Sequence, residues 1–396
     1  GYFHCGTGTY DLPNDLTCQY NCGECLGDAR CLPSVDLCSS NSPILPDPMP
    51  QYAVEFDDSR DGMTVLWGNN TYGILRLDGS YLQLKYSVDP AVMNTAISAS
   101  PTKWVALGRG GADRVVIGVN GTNEADYQEI LGSIGSGFGT DVALSDVERI
   151  GGELNRESGF GVVGAPKDSN AFIIQKTAAT DWTVIAEGSG LRALMGTNPL
   201  GFGNRVAVSP SGKTILVSSS DGVEVFRLML DGNWSFDQTL TFGGQPNFGA
   251  RFAISDDFAV VASDRRLNFY PVLPSNSLGE NVKTVILSDD TSLRDVEIVS
   301  AGNNKTVVFA RIEEGELSVV QMWQPPADDQ DGDWILTNTI VQSELGFKQI
   351  LAIGAGVIKE PLSPVISLPV LVLNGVDAED QLKTQLLPLV PTRPEP

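Results

Sequence analysis

The chain has 396 residues, of which 49 are acidic and 26 basic, so its formal net charge is −23. This excess of negative charge disfavours phosphate backbones and anionic membranes, and we expect no nucleic-acid partner and no membrane insertion. The chain contains one histidine, His4, whereas most histidine-based triads and metal sites need more. We therefore expect no enzyme, no catalytic residues, no metal and no cofactor.

All six cysteines lie within the first 38 residues, in a segment too poor in apolar residues to build its own core: Cys5, Cys18, Cys22, Cys25, Cys31 and Cys38. An even number of closely spaced cysteines predicts a small disulfide-rich module over residues 1–38, with the pairing open. The alternative is a zinc site that uses Cys22 and Cys25 with two further thiolates and His4.

Disulfides are typical of oxidising compartments, so we expect a secreted or cell-surface protein. The chain begins with Gly1 rather than Met, as expected of a mature product without its signal peptide. Four N-x-Ser/Thr sequons lie in glycine-containing turns between apolar runs, where a glycan would reach solvent: Asn69, Asn120, Asn233 and Asn304. We expect N-glycosylation at some of them.

A proline-rich linker over residues 39–50 follows the cysteine module, and short apolar runs separated by Gly, Asp, Asn and Ser follow the linker. These runs predict an all-β domain over residues 51–390, followed by a proline-rich tail over 391–396. One octapeptide pattern occurs three times, as Phe138–Ser145, Phe202–Ser209 and Phe248–Ser255, with weaker copies near Asn94, Asp295 and Phe347. The spacing, about 44 to 64 residues, predicts a seven-bladed β-propeller of four-stranded antiparallel blades.

The repeat itself carries a family resemblance. The run Gly137-Phe138-Gly139, with Gly161-Val162-Val163-Gly164-Ala165-Pro166 after it, resembles the FG-GAP repeat of integrin alpha-chain propellers. The resemblance implies a seven-bladed, extracellular protein of adhesion or recognition. The calcium loop of many FG-GAP blades is missing after the repeats. The remaining acidic run, residues 328–333, is interpreted as a solvated hairpin turn, with a cation site as the alternative.

Matched polar positions in the repeats predict a ring that lines the central channel: Asn94, Asp141, Arg205, Arg251 and Asp295. Opposite charges on successive blades would join the blades and satisfy groups that are costly to bury alone. One alternative is a binding site for a polar or acidic ligand at the channel mouth. Another is a glycosidase that uses the carboxylate pair Asp141 and Asp295.

Aromatic residues also repeat with the blades. The phenylalanines are expected to pack between adjacent sheets: Phe138, Phe202, Phe248 and Phe347. The tryptophans at the start of fourth strands are expected either to pack on the outer turns or to be exposed as binding aromatics: Trp182, Trp234 and Trp334.

From these features we predict a secreted, non-enzymatic interaction or structural protein. Its leading form is a self-assembling subunit of an extracellular fibre, coat or cell-surface appendage. The expected partners are other proteins or copies of the same chain, with glycans as an alternative. A lectin-like adhesion module and a carboxylate-dependent glycoside hydrolase are the two alternative functions.

Overall fold

The computed structural model describes the following parts of the chain: residues 21–22, 33–34, 53–57, 62–67, 71–76, 81–85, 96–99, 104–119, 127–145, 159–176, 181–184, 186–187, 190–191, 193–195, 201–220, 222–230, 232–241, 247–300, 306–325, 333–359, 367–379 and 382–388. Nearly all of these residues lie in antiparallel strands or in the turns between them.

The first sheets of the chain are simple hairpins and meanders. A two-stranded sheet comprises β1 Asn21–Cys22 and β2 Pro33–Ser34. Blade 1 comprises β3 Ala53–Asp57, β4 Gly62–Trp67, β5 Thr71–Arg76 and β6 Tyr81–Lys85. Blade 2 comprises β7 Ala96–Ala99, β8 Trp104–Arg109, β9 Arg114–Val119 and β10 Gln128–Leu131, with a 3-10 turn at Gly110–Ala112.

Blade 3 has an additional strand. Its meander comprises β11 Val142–Leu144, β12 Gly159–Ala165, β13 Asn170–Lys176 and β14 Thr183–Val184. A small ribbon follows, made of β15 Ala186–Glu187 and β16 Gly190–Leu191. The next strand, β17 Ala193–Met195, returns to pair with β13.

Blades 4 to 6 are regular four-stranded meanders. Blade 4 comprises β18 Val206–Val208, β19 Thr214–Ser219, β20 Gly222–Leu228 and β21 Trp234–Leu240. Blade 5 comprises β22 Arg251–Ile254, β23 Phe258–Ser263, β24 Arg266–Pro271 and β25 Lys283–Ile286. Blade 6 comprises β26 Thr291–Ser300, β27 Thr306–Glu314, β28 Leu317–Gln324 and β29 Ile335–Val341.

The last sheet has three strands, and a 3-10 helix, Gln342–Leu345, leads into it. Its strands are β30 Gln349–Lys359, β31 Ser367–Val376 and β32 Leu382–Pro388. Its first strand, β30, contacts both β26 of blade 6 and β3 of blade 1. The three-stranded sheet therefore lies between the last blade and the first.

The first strand of each sheet contacts the first strand of the next sheet around the whole ring. These first strands are therefore innermost, as in a β-propeller, and the all-β propeller with antiparallel four-stranded blades is confirmed. The predicted number of such blades, seven, is wrong, because six sheets have the required strands and the last described sheet has three. The spacing of the repeats predicts sheets around a ring, but it does not show how many strands the last sheet contains.

The core of the molecule lies between blades rather than within one sheet. Five clusters of buried apolar residues fill the successive interfaces from blade 2 to the three-stranded sheet. In the second strands of blades 2 and 3, β8 and β12, every residue is therefore buried. Both faces of these strands are covered, so their sequences are continuous apolar runs instead of alternating ones.

Candidate functional site

The turns before three inner strands, β11, β18 and β22, are built by the Phe-Gly pair of the repeat. All four repeated phenylalanines are buried: Phe138, Phe202, Phe248 and Phe347. Phe202 packs edge to face on Phe226, with the ring centroids 6.1 Å apart. The glycine after it, Gly203, has a φ of +86°, and a Cβ atom there would lie 2.2 Å from the Asn170 carbonyl oxygen of blade 3. The repeat therefore joins each blade to the one before it.

Asp113 fixes one of these turns, and sequence reasoning missed it. It lies between β8 and β9 with a φ of 52°. Its carboxylate accepts hydrogen bonds of 2.6 Å from the backbone N–H groups of Gly135 and Gly137. Burial alone would raise the pKa of Asp113, but these two bonds, the charge of Lys167 and the Ser136 hydroxyl together lower it. The carboxylate thus positions the turn that leads to Asp141 and β11.

Two of the repeated tryptophans are buried at blade interfaces. Trp182 packs edge to face on Trp104 of blade 2 at 5.4 Å, and Trp334 stacks on Phe269 of blade 5 at 4.1 Å. Each is less than 5% exposed. The alternative of exposed binding aromatics is therefore wrong for both. Trp234, which begins β21, is half-buried and stacks on Phe160 of blade 3 at 5.6 Å.

Charged side chains gather at the end of the channel where the inner strands begin. We call this set the charged belt: Asp141, Arg205, Arg251, Arg294, Asp295, Arg311 and Glu313. Four of its members come from the predicted ring, while the fifth ring residue, Asn94, lies outside the described residues. The sequence did not indicate Arg294, Arg311 and Glu313.

The first pair of the belt joins blades 3 and 4. Asp141 immediately precedes β11, and its carboxylate accepts a hydrogen bond of 2.8 Å from the N–H of Val206. The same oxygen lies 4.0 Å from Nε of Arg205, whose side chain is 40% exposed. Burial raises the pKa of Asp141, while the charge of Arg205 and backbone N–H groups oppose the shift.

A β-bulge shapes the belt between blades 5 and 6. The register of β26 shifts between Leu293 and Asp295, which leaves Arg294 without a partner residue on β27. The carbonyl of Arg294 accepts a 2.9 Å hydrogen bond from Nε of Arg251, and a second bond joins Arg251 Nη1 to the carbonyl of Ala250. The bulge thus supplies a carbonyl that fixes Arg251 at the channel entrance.

The next interface repeats this arrangement. The register of β30 shifts between Ile350 and Ala352, and the Ile350 carbonyl accepts a 2.9 Å hydrogen bond from Nη1 of Arg311. Glu313 lies beside it, 3.6 Å from Arg311 Nη1 and 2.6 Å from Nε of Arg294. The Ile350 carbonyl and the Glu313 carboxylate therefore order the arginines of blade 6.

The pKa values of two partly buried arginines in the belt are lowered. Burial, followed by the charge of Arg205, lowers the pKa of Arg251, and Asp295 opposes the shift. Burial also lowers the pKa of Arg311, against the opposing charges of Asp295 and Glu313. Four guanidinium groups face three carboxylates, so the belt has a net positive charge within a strongly acidic chain.

The proposed glycosidase pair is divided between distant blades. Asp141 precedes the first strand of blade 3, and Asp295 lies in the first strand of blade 6. Blades 4 and 5 place Arg205 and Arg251 between them in the ring order. Within the described ranges, no group of three or more His, Cys, Asp or Glu residues is arranged to bind a metal ion.

Most of the predicted modification sites cannot be placed. Asn69, Asn120 and Asn304 lie outside the described residues, as do His4, the acidic run 328–332 and all the cysteines except Cys22. Asn233 is exposed in the turn before β21. The disulfides and glycans therefore stay predictions. No helix in the described part of the chain is long and apolar enough to cross a bilayer.

Comparisons with known proteins support the fold. No family model and no curated protein matches the chain, so the FG-GAP likeness stays a resemblance. BBS1N, in a crystal structure with ARL6DN, is similar with a TM-score of 0.52 and 13% identity over 88% of this chain and 95% of that chain. A protein from Lactobacillus plantarum has a TM-score of 0.49 and 12% identity over 87% of this chain and 97% of that chain. For streptogramin B lyase the TM-score is 0.47 and the identity 8%, over 87% and 95% of the two chains.

Proposed function

We propose that this chain is a secreted, non-enzymatic interaction or structural protein whose ring contacts protein partners through its outer strands. The observation that carries the proposal is the exposure of large apolar side chains on the outer strands of four blades. They are Leu131 on β10, Phe236 on β21, Ile286 on β25, and Ile335 and Leu336 on β29, each at least 41% exposed.

Outer strands of a propeller also leave one row of backbone N–H and C=O groups without a ladder partner. An edge with exposed apolar side chains favours association with another protein surface, whereas edges that resist association usually carry charges or proline. A second copy of the same chain is the partner to test first, because the same edge is then available on both molecules. BBS1N, the propeller of similar fold, was crystallised in complex with ARL6DN.

Two features support a non-enzymatic role. Buried tryptophans and phenylalanines are used to join blades, and the carboxylates of the belt lie beside arginines. The predicted cysteine module and the exposed sequon at Asn233 support secretion. Intact-mass measurement before and after deglycosylation tests whether the sequons carry glycans. An unchanged mass for material secreted by a eukaryotic host would contradict glycosylation.

Size-exclusion chromatography with light scattering tests the association of copies. We expect the measured mass to rise above that of one chain, 42.3 kDa, as the protein concentration increases. A constant monomer mass over a wide concentration range would contradict self-association. A single strong signal on a glycan array would instead favour the lectin-like alternative.

A further inference from the structure

Two arginines occupy equivalent positions on adjacent blades at the channel entrance. Arg205 immediately precedes β18 of blade 4, and Arg251 begins β22 of blade 5. The two inner strands contact each other, so both guanidinium groups belong to one side of the entrance. Ion pairs between successive blades would need positive and negative side chains to alternate around the ring. Two adjacent arginines do not fit that alternation.

Arg205 has unused hydrogen-bonding capacity. Its guanidinium group has five N–H donors. Within the described part of the chain its side chain makes one ion pair, with Asp141 at 4.0 Å, which is longer than a hydrogen bond. With 40% of the side chain exposed, these donors are accessible from the channel entrance.

Two hydrogen bonds orient the side chain of Arg251 on the adjacent blade. Its Nε and Nη1 atoms donate to the carbonyls of Arg294 and Ala250, and neither bond neutralises the positive charge. The one carboxylate that raises the pKa of Arg251 among the described residues, Asp295, also raises that of Arg311. A bound anion would relieve the repulsion between Arg205 and Arg251 and occupy donors that no described residue takes up.

The chemistry of these groups selects the kind of anion. A guanidinium group is planar and matches the two oxygens of a carboxylate, with which it forms paired, charge-assisted hydrogen bonds. The chain as a whole has a net charge of −23, which disfavours polyanions such as nucleic acids or heavily sulfated glycans. A ligand with one or two acidic groups is therefore the best match.

We propose that Arg205 and Arg251 form a binding site for the carboxylate group of an acidic ligand at the entrance of the propeller channel. Asp141 and Asp295 flank the site and limit its net charge. The bulge at Arg294 and the hydrogen bond from Arg251 hold one side of it in place. This site is independent of the outer strands on which the proposed function rests.

The test is an NMR titration of the full, 15N-labelled chain with sodium acetate, replacing sodium chloride at constant ionic strength. The side-chain Nε–Hε signals of Arg205 and Arg251, assigned with the variants Arg205→Gln and Arg251→Gln, should shift and saturate together. Arg205→Gln should weaken acetate binding about tenfold or more, as expected for the loss of a charge-assisted pair. Arg265→Gln is the matched control, since Arg265 is 48% exposed, pairs with Asp289 and lies in the β23–β24 turn rather than on an inner strand.

Two further arms complete the experiment. A short peptide with one aspartate that binds more tightly than acetate would assign the ligand to a protein side chain, and weaker binding would assign it to a free organic acid. The proposal is overturned if acetate shifts the Arg265 signal as much as the Arg205 signal, or if Arg205→Gln binds acetate as well as the unmodified chain does. Saturable binding of inorganic phosphate but not of acetate would overturn the choice of a carboxylate.

Discussion

The side chain of Gln128 on blade 2 forms both hydrogen bonds of an amide pair with the main chain of Trp182 on blade 3. Oε1 of Gln128 accepts a 2.6 Å bond from the N–H of Trp182, and Nε2 donates to the carbonyl of the same residue. One side chain thus links the outer strand of blade 2 to the main chain of blade 3. Gln238 of blade 4 makes a related bond of 2.6 Å to the carbonyl of Leu278 on blade 5.

We expect Gln128→Ala to lower the free energy of unfolding by about 1–3 kcal/mol, because a buried N–H loses its acceptor. The measurement is the midpoint of urea unfolding, followed by tryptophan fluorescence. Gln349→Ala is the control, since Gln349 is exposed at the start of β30, and it should change the free energy by about 0.5 kcal/mol or less. Equal effects of the two variants would show that the amide pair does not stabilise the interface.

The Phe-Gly turn can be tested by adding one methyl group. Gly203 and Gly232 have nearly the same φ, +86° and +84°, but a Cβ at Gly203 would lie 2.2 Å from the Asn170 carbonyl oxygen and one at Gly232 would meet nothing within 4 Å. Both alanine variants should lose about 1–2 kcal/mol from the left-handed backbone conformation. Gly203→Ala should lose a further ~1–3 kcal/mol in thermal or urea unfolding, because the turn must move away from blade 3. Similar losses would mean that the close approach is unimportant.

Phe202 tests the contribution of the apolar contacts between blades. It is fully buried between blades 3 and 4, so Phe202→Ala should lower the free energy of unfolding by about 3–5 kcal/mol. Phe236, on the outer strand of the same blade, is 41% exposed, and its replacement by alanine should cost about 1 kcal/mol or less. Losses in the reverse order would contradict the assignment of Phe202 to the interface.

These residues also show what the sequence could predict. The phenylalanine of each repeat recurs with an invariant glycine beside it, and it was correctly expected in the core. The tryptophans could not be placed, because the direction of a side chain at the start of an outer strand depends on the neighbouring blade, as the contact of Trp334 with Phe269 shows. Arg294 was missed because a bulge in β26 shifts the register without a mark in the sequence, and Arg311 because it lies on a second strand, β27, opposite Asp295.

Asp113 predicts a dependence of stability on pH. Because its pKa is lowered in the folded protein, ionised Asp113 stabilises the fold at pH values above the pKa of the unfolded chain. This stabilisation disappears as the pH falls through the folded pKa. The difference in melting temperature between the unmodified chain and Asp113→Asn should therefore be largest near neutral pH and shrink below about pH 4.

Asparagine is a suitable replacement because it tolerates the left-handed conformation of residue 113. Asp289→Asn is the control: Asp289 is fully exposed, its pair with Arg265 contributes little, and the effect on melting should be small at every pH. A difference between Asp113→Asn and the unmodified chain that grows towards low pH would be opposite to the expected sign.

The central claim, that the outer strands of the ring mediate association, is tested most directly by sedimentation velocity on a rim variant. Ile286→Lys with Ile335→Lys changes two exposed positions, 67% and 56% accessible, so the fold should be retained. The unmodified chain should sediment faster as its concentration rises, and the double variant should remain a monomer with an unchanged melting temperature. A monomeric unmodified chain, or a variant that associates equally well, would contradict the claim.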